Sequence, residues 1–133
     1  MQPTSLKELA RIHDCVVEKI VYDASDREER RSRIYMECPN DLGHPGWAGK
    51  RIVLVAIDVA TMRHSVWGIV GLESIDAIHP GISSDLKTAV QRWEDIGARF
   101  PDIELTISFS SGSVLEIICR GLEVDIEEPS KNT

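Results

Sequence analysis

The sequence predicts an α+β fold in which a predominantly antiparallel sheet packs against one main helix. Several segments alternate apolar and polar residues with a period of two, which is typical of half-buried strands. Residues 84–100 instead repeat apolar residues at steps of three and four, the spacing of an amphipathic helix. No repeating strand-helix pattern is visible, so a parallel sheet is not expected. A curled, partly closed barrel is the alternative form of the sheet.

The chain opens with a short predicted helix and a hairpin. Residues 4–11, TSLKELAR, predict a helical turn that Thr4 or Ser5 can cap. Residues 12–22 and residues 30–38, RRSRIYMEC, predict two strands joined by the polar segment DASDREE. A hairpin with a loose tip is expected.

The middle of the chain predicts the centre of the sheet. In residues 51–60, RIVLVAIDVA, both the odd and the even positions are apolar from Ile52 to Ile57. This is expected of a central strand that is covered on both faces. Residues 64–81 continue with β-branched residues and with Gly68 and Gly71, which predict one or two bent strands with bulges.

The main helix is predicted from SDLKTAVQRWEDIGARF, with Ser84 as its cap and Pro101 as its stop. Trp93 lies in the apolar stripe of this helix, and we expect it and Trp67 to be core residues.

Three sequential antiparallel strands that form a meander are predicted in the last third of the chain. They are IELTISFS, VLEIICR and LEVDIEE, and Gly112 of the intervening SSGS can take the positive φ of a tight turn. Residues 129–133 are expected to fray.

Length and composition indicate a single domain, 1–133, that is 42% apolar and 28% charged. The N-terminal residues lack an apolar signal region and no window approaches a membrane span, so a cytoplasmic protein without a membrane partner is expected. Cys15, Cys38 and Cys119 have no CxxC spacing and are expected to be reduced and buried. The net charge of −7 argues against nucleic acid as a partner and suits a basic partner protein.

The adjacent His13 and Asp14 are the residues that a metal-dependent phosphohydrolase would display. The doublet runs into a predicted strand, where neighbouring side chains point to opposite faces, so we expect it to open the strand rather than bind a metal. A small metal-dependent hydrolase that uses His13, Asp14 and His44 is the alternative, and a cluster of His13, His44 and His79 with Asp41 is conceivable. No cofactor is expected.

The loop at residues 39–49, PNDLGHPGWAG, is the predicted recognition segment. Its candidate binding residues are Asn40, Asp41, His44 and Trp47. For Trp47, folding back as a lid over one end of the core is favoured over a role in recognition. The acidic residues of the last strand, predicted to be an edge strand, are further candidates, namely Glu123, Asp125, Glu127 and Glu128.

Motifs for phosphate binding and nucleophilic catalysis are not recognised. GHPGWAGKR departs from a phosphate loop because His44 stands at the first glycine position and Arg51 replaces Ser or Thr. SSG lacks the preceding glycine of a nucleophile elbow. No catalytic residue is therefore assigned, and a protein without catalytic activity is favoured.

The layout resembles small bacterial cytoplasmic proteins of α+β plan, some of them immunity proteins of polymorphic toxin systems. The residues that carry this resemblance are HD at 13–14 and SG at 111–112, within a plan that extends over residues 12–127. The resemblance implies a binding domain, in its specific form an immunity-type inhibitor of a basic partner protein. It brings no catalytic motif.

Overall fold

The structure is a computed structural model that describes residues 2–25, 30–42, 46–65 and 73–127. Its elements follow in the order β1 (Gln2–Pro3), α1 (Leu6–Leu9), β2 (Val16–Asp23), β3 (Arg31–Glu37), β4 (Arg51–Ile57), β5 (Thr61–Ser65), β6 (Glu73–Pro80), α2 (Ser84–Asp95), β7 (Ile103–Phe109), β8 (Val114–Cys119) and β9 (Gly121–Glu127). His44, Trp67, Gly68, Gly71, Glu128 and the tail at 129–133 lie outside the described residues.

All strands in the described part of the chain belong to one nine-stranded sheet of order β1-β9-β4-β3-β2-β6-β7-β8-β5, in which each pairing is antiparallel. The predominantly antiparallel sheet is thus confirmed, and so are the hairpin of β2 with β3 and the pairing of β7 with β8. The predicted meander is wrong in its second pairing, because β9 pairs with β4 and β1 instead of β8. The sheet ends at β1 on one side and at β5 on the other. The described strands therefore do not close into a complete barrel.

One core joins the two halves of the sheet. Ile52, Leu54 and Ala56 of β4 lie in the same buried cluster as Leu115 and Ile117 of β8, although these strands are far apart in the sheet order. At their ends, the N–H of Arg120 donates to the carbonyl of Ile57 over 2.9 Å. The sheet thus folds over, and its inner faces meet across a single core.

Strand β4 is buried on both faces, as its sequence predicts. Its outward-facing residues Val53, Val55 and Ile57 form a second cluster against Tyr35. The strand lies between β3 and β9 and is third in the sheet order, so it is an interior strand but not the middle one.

Helix α2 begins and ends differently from its predicted bounds. Ser83, not Ser84, is the N-cap, because its hydroxyl accepts the N–H of Leu86. The helix ends at Asp95, well before Pro101, since Gly97 takes a φ of +102° and turns the chain away.

The apolar face of α2 is only partly covered. Leu86 and Val90 are buried, whereas the side chain of Trp93 is 59% exposed and that of Ile96 is 76% exposed. The prediction that Trp93 is a core residue is therefore wrong. In the described part of the chain, no helix has the length and apolar character needed to cross a membrane.

Candidate functional site

The His13-Asp14 pair lies in a turn ahead of β2. Asp14 has a φ of +57°, and its N–H donates to the carbonyl of Ile75 over 2.8 Å. Aspartate tolerates this left-handed conformation better than most residues. The turn brings the two side chains together, with His13 Nδ1 3.1 Å from Asp14 Oδ2. The pair leads into β2 as expected, but the expectation that its side chains point to opposite faces is wrong.

The residues of the conceivable metal cluster do not converge where the structure describes them. His13 contacts Asp14, whereas His79 Nε2 lies 3.4 Å from the hydroxyl of Ser108 on β7. Among the described residues, no three His, Cys, Asp or Glu side chains are close enough to hold a metal ion. His44 lies outside them, so its part in such a site stays untested.

The contact between His79 and Ser108 has the residue types of a nucleophile and its base. Its separation is long for a hydrogen bond from a hydroxyl group. The other ring nitrogen, Nδ1, faces the carbonyl oxygen of Pro80 at 3.5 Å. In a serine hydrolase this nitrogen instead donates to a carboxylate that orients the ring. The arrangement therefore gives no reason to assign catalysis to Ser108.

Of the candidate binding residues in the loop that follows β3, the structure describes one that is buried and two that are exposed. Trp47 is only 5% exposed and belongs to the main core, as the favoured lid arrangement predicts. Its side chain is therefore not available for recognition. Asn40 and Asp41 are exposed, and the Asn40 side chain lies against Gly49, whose φ is +72°. Of the loop candidates that the structure describes, these two can meet a partner.

The acidic residues of β9 share one outward face. Glu123, Asp125 and Glu127 alternate with Leu122 and Val124, which are buried. Strand β9 lies between β1 and β4, so it is not the edge strand that the sequence suggested. However, β1 pairs only with Glu123 and Val124. The backbone beyond Val124 is thus not covered by β1, and charged side chains there oppose unwanted strand pairing.

Strand register gathers further carboxylates beside these residues. Arg51 of β4 pairs laterally with Glu37 of β3 and with Glu127 of β9. The guanidinium of Arg51 also binds the carboxylate of Glu18 through two hydrogen bonds. Hydrogen bonds from Arg51 to Glu18 raise the pKa of Arg51, and the charges of Glu18, Glu127 and Glu37 add to this effect. We call Glu18, Glu37, Asp125 and Glu127 the acidic end.

The opposite end of the same strands is basic. Arg31 and Arg33 of β3 pair laterally with Ile57 and Val55. Beyond the strand ends, Arg30, Arg99 and Arg120 line a cavity of about 540 Å³ together with Asp58 and Asp102. Charge is therefore separated along the strands of this face.

A buried carboxylate ties α2 to the sheet. Glu116 of β8 is 2% exposed. It accepts hydrogen bonds from Arg63 Nε at 2.9 Å and from the backbone N–H of Ser83 at 2.6 Å. Burial alone would raise the pKa of Glu116, but the hydrogen bonds from Ser83 and Arg63 and the charge of Arg63 outweigh it and lower the pKa. Because Ser83 caps α2, this cluster holds the start of the helix on the outer face of β8.

Comparison of the chain with protein-family models, curated proteins and solved structures finds no match. The resemblance in plan to immunity proteins therefore stays a prediction. What the chain binds must be argued from its own surface.

Proposed function

We propose that the protein is a non-catalytic binding domain that docks a basic partner protein through the acidic end of its sheet. The observation that carries the proposal is the register of β3, β4 and β9, which collects Glu37, Asp125 and Glu127 on one face. Glu37 and Asp125 are exposed, as is Glu18 beside them. Negative potential concentrated on one accessible face accelerates the encounter with a positive surface and orients it.

The local charge balance supports the proposal further. Arg51 is the cation at the centre of the acidic end, and its guanidinium already binds Glu18. Lys19 lies close by, with its ammonium 4.4 Å from the centre of the Tyr35 ring. The four carboxylates of the acidic end exceed the charges of Arg51 and Lys19. Lysine and arginine side chains of a partner could complete these interactions. The exposed Asn40 and Asp41 belong to the loop that follows β3 and would extend the docking surface at this end.

The specific form of the proposal is an immunity-type inhibitor in the cytoplasm, which silences a basic protein by covering it. The resemblance in plan and the net charge of −7 support this form. Inhibition of the partner's own activity by a stoichiometric amount of the chain would distinguish such an inhibitor from a simple adaptor.

Removal of three charges from the acidic end is expected to weaken partner binding roughly 3- to 150-fold, since exposed ion pairs contribute about 0.2–1 kcal/mol each. The test variant carries Glu37→Gln, Asp125→Asn and Glu127→Gln. The matched control carries Asp76→Asn, Glu94→Gln and Asp95→Asn, which removes the same charge from other exposed positions. The partner is captured on immobilised wild-type protein at low salt, and its affinity for each variant is then measured by calorimetry.

If the protein docks through the acidic end, the captured partner is basic and added salt releases it. That partner also binds the control variant as tightly as it binds wild type. Equal weakening in the two variants would mean that only net charge matters, which contradicts docking at the acidic end. A partner that is acidic, or whose affinity does not change with salt, would also contradict it.

A further inference from the structure

Two of the three cysteines lie in contact in the core. Cys15 precedes β2, Cys38 follows β3, and the distance between their sulfur atoms is 3.0 Å. Both side chains are buried, with exposed fractions of 0% for Cys15 and 4% for Cys38. The expectation that the cysteines are buried is thus confirmed. Their contact could not be read from the sequence, because the spacing of the two residues matches no thiol motif.

Strand register accounts for this contact. Val16 pairs with Glu37, so continuing the antiparallel register by one residue places Cys15 opposite Cys38. The N–H of Cys38 donates to Lys50, and the carbonyl of Cys15 accepts from Ile75. Their backbone groups therefore point away from each other, which is the arrangement of a non-hydrogen-bonded pair. In such pairs the side chains come closest, so a disulfide needs only a small further approach.

A small oxidant can approach Cys38 from one side. Cys38 lines a cavity of about 330 Å³ together with Asp14, Glu37 and Asn40. Asp14, Glu37 and Asn40 are exposed, so the cavity is continuous with solvent. Cys15, which has an exposed fraction of 0%, is not among the lining residues. The cavity therefore borders Cys38 and does not reach Cys15.

We propose that Cys15 and Cys38 form an oxidisable dithiol, which a peroxide converts to an intramolecular disulfide. Cys38 attacks first, and its sulfur forms a bond to the nearer oxygen of the peroxide as the O–O bond breaks. The products are a sulfenic acid on Cys38 and water or an alcohol. The sulfur of Cys15 then attacks the sulfur of Cys38, an S–S bond forms as the S–O bond breaks, and water leaves with the proton of Cys15. Two thiols are oxidised and one peroxide is reduced.

The protonation of the pair suits this order of attack. The thiol of Cys15 donates a hydrogen bond to the sulfur of Cys38, which lowers the pKa of Cys38. The same hydrogen bond, followed by burial, raises the pKa of Cys15. Burial raises the pKa of Cys119 to about 11. Cys38 is thus the thiol that most readily becomes the nucleophilic thiolate.

Oxidation of the folded, reduced protein with hydrogen peroxide tests the inference. After alkylation of the remaining thiols and digestion, mass spectrometry should find the Cys15 and Cys38 peptides joined and Cys119 alkylated. The cross-link should be absent from protein treated again with dithiothreitol. Its rate of formation should rise as pH rises, because the thiolate is the reacting form.

Single variants separate the two roles. Cys119→Ser should form the cross-link at the wild-type rate, and Cys38→Ser should form none. Cys15→Ser should stop at the sulfenic acid, which dimedone traps on Cys38. The wild-type protein carries no substitution. Its peptide map therefore tests the inference by itself, even where one of the variants fails to fold. Three alkylated cysteines after peroxide, or a cross-link that includes Cys119 or joins two chains, would overturn the inference.

Discussion

Trp47→Ala is expected to lower the free energy of unfolding by about 3–5 kcal/mol, the range of large-to-small aromatic substitutions in cores. Trp47 is only 5% exposed and lies in the main core with Leu42 and Cys38. Its removal leaves a void that the rigid strands around it fill poorly. Urea unfolding followed by circular dichroism measures the loss.

Trp93→Ala is the matched control, because it removes the same side chain from a site that is 59% exposed. Its cost is expected to stay below about 1 kcal/mol, since surface substitutions usually have small effects. If the two variants lost the same stability, or if Trp93→Ala lost more, the placement of Trp47 as a lid on the core would be wrong.

These two tryptophans show what a sequence pattern can and cannot predict. Helical spacing correctly places Trp93 on the same face as Leu86 and Val90. It does not indicate how much of that face packs against the sheet, and in this structure the packing ends before Trp93. Trp47, in a loop rich in glycine and proline, has no periodic neighbours at all. Its burial depends on how the loop folds back, which only the tertiary structure decides.

Strands were easier to predict than the site. β7 and β9 alternate apolar and polar residues, and β4 is an apolar run. Each of these patterns lies within one segment, so each strand can be predicted from its own residues. The acidic end depends instead on which strands become neighbours. Arg51 meets Glu127 because β9 returns to pair with β4, a pairing between segments far apart in the chain. No pattern within either segment indicates that partner.

The contact between Cys15 and Cys38 also could not be predicted from the sequence, although the two strands beside it are neighbours in the chain. A hairpin of β2 with β3 was predictable, but its register was not, because a bulge between Val17 and Lys19 shifts the pairing along the strand. A change of one residue in register would place another residue opposite Cys38. Similarly, the left-handed φ of Asp14 has no periodic signal, although it determines where His13 points.

Glu116→Ala is expected to destabilise the protein by about 3 kcal/mol, near the lower bound for breaking a buried ion pair, since part of Arg63 reaches solvent. The carboxylate accepts hydrogen bonds from Arg63 and from the N–H of Ser83, and the variant leaves both donors without it. Because Ser83 caps α2, amide hydrogen exchange in the first turn of α2 should accelerate as well. Unchanged exchange there would contradict the role of Glu116 in holding the helix.

Acidic pH should remove the stabilising contribution of the Glu116 carboxylate from the wild-type protein. The pKa of Glu116 is lower in the folded state, so its stabilising effect is fully present above the unfolded pKa of about 4.3. It is lost as pH falls through the lower, folded pKa. We therefore expect the stability difference between wild type and Glu116→Gln to narrow steadily below about pH 4, as measured by urea unfolding at a series of pH values. Glu104→Gln, which removes the same charge from the neighbouring strand β7, is measured beside it as the control. A constant difference for Glu116→Gln from neutral to acidic pH would mean that the Glu116 carboxylate is not held in its charged form by Arg63 and Ser83.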